Sequence, residues 1–288
     1  MRCHVLAPGG AIEYGLRMEA LPLFSSPLLD VREVLCGATR GEHGDDEQSL
    51  TPCVAIPLRG CYIVERQRDA VVADPNTAIF FEPGVPYRVA HPADDGDVSF
   101  VIACELGIIA DAFGNGARHD AEQRPFRATH AQLAPRLQLR ARQFRRSLAS
   151  CGFEPLLAEE SAFAIVAGLA ETRAPENTPA QRIVVERAKA FLGEHVCEPV
   201  SLGEVAHAAR TSPFSLARAF PAVTGTTLHQ YLVSLRLAAS LDALGAGATN
   251  LSRVAVDAGF AHHSHLTKTF VRVFGATPSA IRKQLRAR

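Results

Sequence analysis

The pattern of apolar and polar positions changes character before the middle of the chain. Up to about residue 124, apolar residues come in short runs rich in Val, Ile, Phe and Tyr: CVAIPLRGCYIVE from Cys53, AIFFEPGVPYRVAH from Ala78 and DVSFVIACEL from Asp97. Turn-forming segments such as ADPN and HPADDGD separate them. Runs of this kind between tight turns are strands, and their spacing predicts a small antiparallel barrel or sandwich. From about Ala131 the apolar positions recur at helical intervals, in QLAPRLQLRARQFRRSLASC and LLAEESAFAIVAGLAETR. The apolar faces of these helices, within Ala131–Arg173, either pack on the strand region of the same chain or meet a second copy. Thr172–Gln181, TRAPENTPAQ, holds two prolines among mostly polar residues and reads as a linker.

Seven helices are predicted beyond the linker. QRIVVERAKAFLGEHV is amphipathic, Ser201 and Glu204 form a capping box, and Ser212 is an N-cap followed by Pro213 at the first helical position. Gly225 ends that helix. TLHQYLVSLRLAASLDALGA then makes one long helix, Asn250 caps LSRVAVDAG, HHSHLTKTFVRVFG follows, and Thr277-Pro278 opens the last helix. Within this stretch the chain repeats itself. Leu202, Val205, Ala206 and Ala209 match Leu251, Val254, Ala255 and Ala258 at an offset of 49. Leu216, Arg218, Phe220 and Gly225 match Leu266, Lys268, Phe270 and Gly275 at an offset of 50, the extra residue falling between two helices. One supersecondary unit is therefore used twice.

Charge sharpens this picture. The formal net charge is zero, yet residues 182–288 hold 13 Lys and Arg against 6 Asp and Glu, while residues 1–181 hold 17 against 24. A basic half joined to an acidic half suggests a polyanion-binding module with a partner domain. A length of 288 residues suits two domains. No apolar run reaches membrane-spanning length and the start lacks a secretory signal, so a soluble cytoplasmic protein is expected, without a membrane partner. Seven cysteines without a CxxC pair argue against a disulfide framework. No nucleophile elbow, phosphate loop or triad pattern is present, so no enzyme is expected.

A short helix, a tight turn and a second helix make a helix-turn-helix, whose second helix lies in the DNA major groove. Leu216 and Phe220 face inward together, as do Leu266 and Phe270. The opposite faces offer Phe214, Ala217 and Arg218 in the first repeat and His263, Ser264, His265, Thr267 and Lys268 in the second. Arg and Lys donate to guanine, and Ser, Thr and His bond base edges or phosphates. Over roughly Arg182–Gln284 the chain resembles the AraC/XylS family of transcription regulators, through SPFSLARAF, Gly225, Tyr231, Arg236, VAVDAGF, SHLTKTF and FGATPSAIRK. The resemblance implies two helix-turn-helix units bridged by a long helix. It also implies base contacts from both second helices with phosphate contacts around them. The expected DNA-facing set is Ser212, Phe214, Ser215, Ala217, Arg218, Arg236, His263, Ser264, His265, Thr267, Lys268 and Arg272.

Two positions depart from the family pattern. Pro221 stands where a basic residue is usual and removes an N–H, so the first reading helix is expected to end or kink early. Ala217 touches a thymine methyl at most. The histidines at 262, 263 and 265 point in different directions around a helix with no cysteine nearby, so they are read as DNA-facing, not as zinc ligands.

The resemblance also implies an effector-binding, cupin-like N-terminal barrel, which ADPNTAIFFEPGVPYRVAHP resembles. His91 is followed by Pro92-Ala93, so the HxH metal pair of enzymatic cupins is missing and no metal or other cofactor is expected. Cys36, Cys53, Cys61 and Cys104 fall in this region. Cys53 and Cys61, with Cys36 and His91, are the candidates for a thiol sensor of oxidants or soft metals. The alternative is that these cysteines pack as small hydrophobes. The expected fold is thus a two-domain chain: an all-β cupin-like barrel at 1–125 with following helices at 126–171, a linker at 172–181, and an all-α domain with two helix-turn-helix units at 182–288. The expected function is that of a sequence-specific regulator with double-stranded DNA, an unknown small-molecule effector and a second copy of the chain as partners, and RNA polymerase as a candidate partner. The rival readings are a metal-dependent cupin-type enzyme and an effector-independent architectural DNA-binding protein.

Overall fold

The computed structural model of the chain describes residues 12–14, 18–67, 69–94, 96–113, 125–126, 128–149, 154–171 and 178–286. Most of the expected linker, residues 172–177, lies outside them. The chain divides into two compact units, Met1–Leu133 with Phe144–Ala174, and Ala134–Gln143 with Pro175–Arg288. No helix among the described residues is long and apolar enough to cross a membrane.

The first unit is built from eleven strands among the described residues: β1 Ile12–Tyr14, β2 Met18–Ser25, β3 Leu29–Cys36, β4 Glu47–Gln48, β5 Cys53–Arg59, β6 Tyr62–Arg66, β7 Asp69–Ala73, β8 Thr77–Phe81, β9 Pro86–Ala90, β10 Asp97–Cys104 and β11 His130–Gln132. They form two antiparallel sheets, of order β1-β2-β3-β10-β5-β8-β11 and β4-β9-β6-β7. The closed barrel expected from the resemblance is not what these strands make. The edge strands of one sheet do not pair with those of the other, so the described strands form a sandwich-like arrangement and not a ring. β11 pairs with β8 and extends the larger sheet past residue 125.

β5 explains why CVAIPLR is apolar at consecutive positions. Cys53 to Leu58 are all buried, because β5 lies between β10 and β8 with both faces covered. Cys53 and Ala55 join a core with Tyr62, Val64, Ile79, Phe81 and Val89. Two glycines close the far end. Gly60 has φ +73° and Gly96 has φ +63°. A Cβ on Gly96 would collide with the Cys36 carbonyl, and one on Gly60 with Gly96 and Asp97. The chain therefore packs backbone to backbone where β3 and β10 meet. After helices α1, Leu106–Ala112, and α2, Pro135–Leu148, helix α3, Pro155–Ala170, buries Ala158, Ala162, Ile165, Val166 and Leu169 within the same chain and leaves Leu156 and Leu157 exposed.

The second unit holds the seven expected helices: α4 Pro179–Glu194, α5 Leu202–Ala208, α6 Pro213–Thr224, α7 Leu228–Gly245, α8 Leu251–Asp257, α9 His263–Phe274 and α10 Pro278–Arg286. Side chains cap their starts. Thr178 with Gln181, Ser201 with Glu204 and Thr227 with Gln230 form capping boxes, and Ser212 and Asn250 accept from the third backbone N–H of their helices. Each such cap stabilises by about 0.5–2 kcal/mol. Two apolar cores result. One joins Val185, Leu192, Val205, Leu216, Phe220, Tyr231 and Leu235; the other joins Val233, Leu237, Leu241, Val254, Leu266, Phe270 and Ile281. Helix α7 contributes to both.

The repeat seen in the sequence is a repeat of form. α5 and α8 are each 7 residues long, and α6 and α9 are each 12. Both longer helices end on a left-handed glycine, Gly225 with φ 72° and Gly275 with φ 73°. The expected early end at Pro221 is not observed: α6 runs through it to Thr224. Pro221 removes one donor from a helix whose next turn is held independently, by Gly225 N–H donating to Pro221 O at 2.9 Å and Thr224 Oγ1 donating to Phe220 O at 2.8 Å.

The two turns differ in how they meet the rest of the unit. The turn before α6 puts Arg210 at φ 55°, and that before α9 puts Gly259 at φ 78°. Arg236, on α7, donates to Val196 O at 2.9 Å and Glu198 O at 2.8 Å, and Gly259 packs on this clamp. A Cβ at 259 would lie 2.7 Å from Val196 O and 2.8 Å from Arg236 Nε. Gly259→Ala is therefore expected to destabilise the chain by about 1–3 kcal/mol, measured by chemical denaturation; an unchanged midpoint would show that the clamp gives way freely.

Candidate nucleic-acid interface

Helices α6 and α9 each turn one face inward and one outward. On α6, Leu216, Ala219 and Phe220 are buried, while Phe214, Ser215, Ala217 and Arg218 are exposed. On α9, Leu266, Thr269 and Phe270 are buried, while His263, Ser264, Lys268 and Arg272 are exposed and His265 and Thr267 are half-buried. The outward sets occupy equivalent places at the offset of 50: Ala217 with Thr267, and Arg218 with Lys268. Phe214 is 73% exposed on this outward face. The Arg218 guanidinium lies 5.8 Å from the centre of that ring, which holds the cation over the same outward face. Ser212 is occupied in capping, its Oγ accepting from Ser215 N–H at 3.1 Å and donating to Ser215 Oγ at 2.9 Å.

The three histidines have three separate roles. His262 is the N-cap of α9, its Nδ1 accepting from His265 N–H at 3.2 Å. This cap was not read from the sequence, where Ser, Thr, Asn and Asp are the usual signals. His263 is exposed, with Nε2 3.3 Å from Thr267 Oγ1, and shares the outward face. His265 packs edge-on against Phe260 at 5.2 Å between ring centres, and burial, followed by the nearby His262 and Arg236, lowers its pKa. Arg236, placed in the DNA-facing set by the resemblance, spends its guanidinium on the Val196 and Glu198 carbonyls.

The sensor candidates lie in the first unit. Cys36, Cys53, Cys61 and Cys104 are free and buried. Cys53 opens β5 and Cys61 follows its end, so six residue steps of strand, about 20 Å, separate the two. The Cys53–Cys61 pair cannot close, because a disulfide needs Cα atoms within about 7 Å. Burial pushes the Cys53 thiol up to about 11 and the Cys104 thiol up to about 12. The structure instead brings Cys36 to His91, with Sγ 3.3 Å from Nε2. Asp97, not singled out from the sequence, lies 3.3 Å from the same Nε2. The neighbouring Asp97 carboxylate and then Cys36 raise His91 to about 10, so the ring is cationic at neutral pH. The signal available for Asp97 was an acidic residue opening an otherwise apolar strand, DVSFVIAC.

A family model described as a helix-turn-helix domain matches residues 205–284. The chain is 34% identical over 97 residues to the XylDLEGF operon transcriptional activator 2 of Pseudomonas putida, spanning 33% of this chain and 62% of that protein. It is 28% identical over 102 residues to regulatory protein SoxS of Escherichia coli K12, spanning 35% of this chain and 95% of SoxS. Among solved structures, it is similar to an AraC-type regulator from Chromobacterium violaceum at 23% identity, over 38% of this chain and 98% of that one, with a TM-score of 0.36. It is also similar to ToxT of Vibrio cholerae at 10% identity, over 90% and 98% of the two chains, with a TM-score of 0.35. Residues 205–284 thus match a helix-turn-helix domain, and this part of the chain is similar to AraC-type transcription regulators.

Proposed function

We propose that this chain is a sequence-specific regulator in which α6 and α9 are both reading helices for double-stranded DNA. In this reading the first unit senses an effector. The observation that carries the reading is the matched pair of outward faces, each on a 12-residue helix held down by a Leu and a Phe one turn apart. Each face presents one cation at the equivalent place, Arg218 or Lys268, beside small polar or apolar side chains. A cation there donates to guanine O6 and N7, Ser264, Thr267 and His263 reach base edges or phosphates, and Phe214 and Ala217 suit a thymine methyl. Arg272, Lys283 and Arg286, at or near helix ends, add attraction to phosphates and with it a steep salt dependence.

Helix α7 supports the two-helix reading. Its 18 residues span about 27 Å, and the two cores sit toward its opposite ends. Reading helices mounted on such a bar suit successive major grooves, about 34 Å apart. The domain arrangement proposed is that of a sensing region at 1–125, helices at 126–171, a linker at 172–181 and the DNA-binding domain at 182–288. Leu156 and Leu157, left exposed on α3, offer an apolar surface for pairing two chains. Contact with RNA polymerase follows from the regulator role.

Selection of bound fragments from random DNA, with footprinting of the winner at two salt concentrations, tests the reading directly. Two fixed blocks about one helical turn apart are expected; a single block would assign only phosphate contacts to one helix. On the selected site, Arg218→Ala and Lys268→Ala should each weaken binding by about 1–3 kcal/mol while changing random-DNA affinity less. Equal losses on both DNAs would make these residues phosphate contacts. Arg236→Ala should behave differently, lowering stability to denaturant through loss of its two carbonyl contacts, with equal effects on specific and random binding. A base-specific loss in a fully stable variant would place Arg236 on DNA.

A further inference from the structure

Between the two sheets lies a cavity of about 90 Å³, lined by apolar residues such as Val34 and Val101, by polar ones such as Arg32, Glu47 and Ser99, and by Cys36, His91 and Asp97. Each of the last three offers one ligand atom, and the three atoms all lie within 4.8 Å of one another. His91 has no HxH partner and Cys36 lies 55 residues before it, but the fold joins them with Asp97 into one cluster.

The cluster is held by rigid backbone. Cys36 and Asp97 are directly opposed residues of the antiparallel β3–β10 ladder. The backbone of His91 is fixed on both sides: its N–H donates to Glu42 O at 3.2 Å and its carbonyl accepts from Gly41 N–H at 3.0 Å. Gly96, immediately before Asp97, allows the close approach to Cys36 described above. All three side chains are buried, yet His91 Nδ1 and Asp97 Oδ2 have no well-angled hydrogen bond. An ion at this point would give Asp97 Oδ2 the partner that its 3.3 Å contact with His91 Nε2 does not supply in hydrogen-bonding geometry.

The separations fit a metal ion. Tetrahedral zinc, with bonds of about 2.3 Å to sulfur and about 2.0–2.1 Å to nitrogen and oxygen, sets its ligand atoms roughly 3.3–3.6 Å apart. His91 Nε2 lies 3.3 Å from Cys36 Sγ and 3.3 Å from Asp97 Oδ2. One sulfur, one imidazole nitrogen and one carboxylate oxygen are a donor set for a borderline-soft cation, not for calcium or magnesium. We propose that Cys36, His91 and Asp97 bind one divalent cation of the zinc class, with the fourth coordination position open to the cavity. The ion takes Cys36 as thiolate and His91 as neutral imidazole, any protons they carry passing to solvent, and the thiolate and carboxylate balance its charge. The inference deepens the sensing role by naming a ligand class for the first unit.

The test uses the full chain, stripped with a chelator and titrated with Co²⁺. One equivalent per chain is expected, with four-coordinate visible bands and a thiolate-to-cobalt charge-transfer band, and Zn²⁺ should displace it. Cys36→Ser should abolish the charge-transfer band, while Cys197→Ser, which removes an exposed thiol, should leave it intact. Asp97→Asn, nearly isosteric, should weaken affinity by at least the roughly 10–100-fold that even an outer-shell loss costs, and it carries the test if Cys36→Ser does not fold. Absence of the band in the wild-type chain, its persistence in Cys36→Ser, or unchanged affinity in Asp97→Asn would overturn the proposal. The readout involves no DNA, so failure here leaves the DNA-reading role to be judged by fragment selection alone.

Discussion

The C-terminal unit depends on one helix being buried from two sides. Residues two apart on α7, Leu235 and Leu237, sink into different cores. Tyr231 packs edge-on against Phe220 of the first core, at 5.3 Å between ring centres, while Leu241 and Leu244 serve the second. This explains why YLVSLRLAASLDAL lacks the clean polar stripe of a surface helix: a helix that feeds two cores has little face left for water. It also fixes the two longer helices to a common axis. An operator with one base pair added between its two blocks would turn the second block by about 34° around the duplex, a rotation this shared helix has no joint to follow.

Much of the second unit was legible in the sequence because its signals are local. Ser201 with Glu204, Ser212 with Pro213 and the glycines at 225 and 275 announce helix ends through chemistry that neighbouring residues settle among themselves. The offset of 49, then 50, located the longer turn, which spans the stretch that includes Gly259. Two local rules misled. Pro221 was expected to end or kink α6 early, but the helix runs on to Thr224, with Leu216, Phe220 and Val223 buried in one core. His262 caps α9 although histidine is not among the usual capping residues.

The first unit was less legible, since sheets are made by pairings between distant residues. Alternation and turns located most strands but not which of them share a sheet, and β11 fell in a segment read as the approach to helices. The same limit hid the Cys36–His91–Asp97 cluster, whose members are 55 and 6 residues apart along the chain. Proximity in sequence favoured Cys53 with Cys61, and the length of β5 separates them. Arg236 is a further case: the resemblance put it among the DNA contacts, and the fold engages its guanidinium with the Val196 and Glu198 carbonyls.

Burial in the first unit also sorts its thiols by reactivity. With Cys53 raised to about 11, roughly one molecule in ten thousand carries it as a thiolate at pH 7, and Cys104 ionises more rarely still. Oxidants and alkylating agents attack the thiolate form, so these two sulfurs are kinetically insulated from the chemistry of the cell. Cys36, by contrast, has the His91 imidazole within contact distance of its sulfur. The apolar packing around Cys53 and Cys104 thus acts as chemical insulation for these two sulfurs.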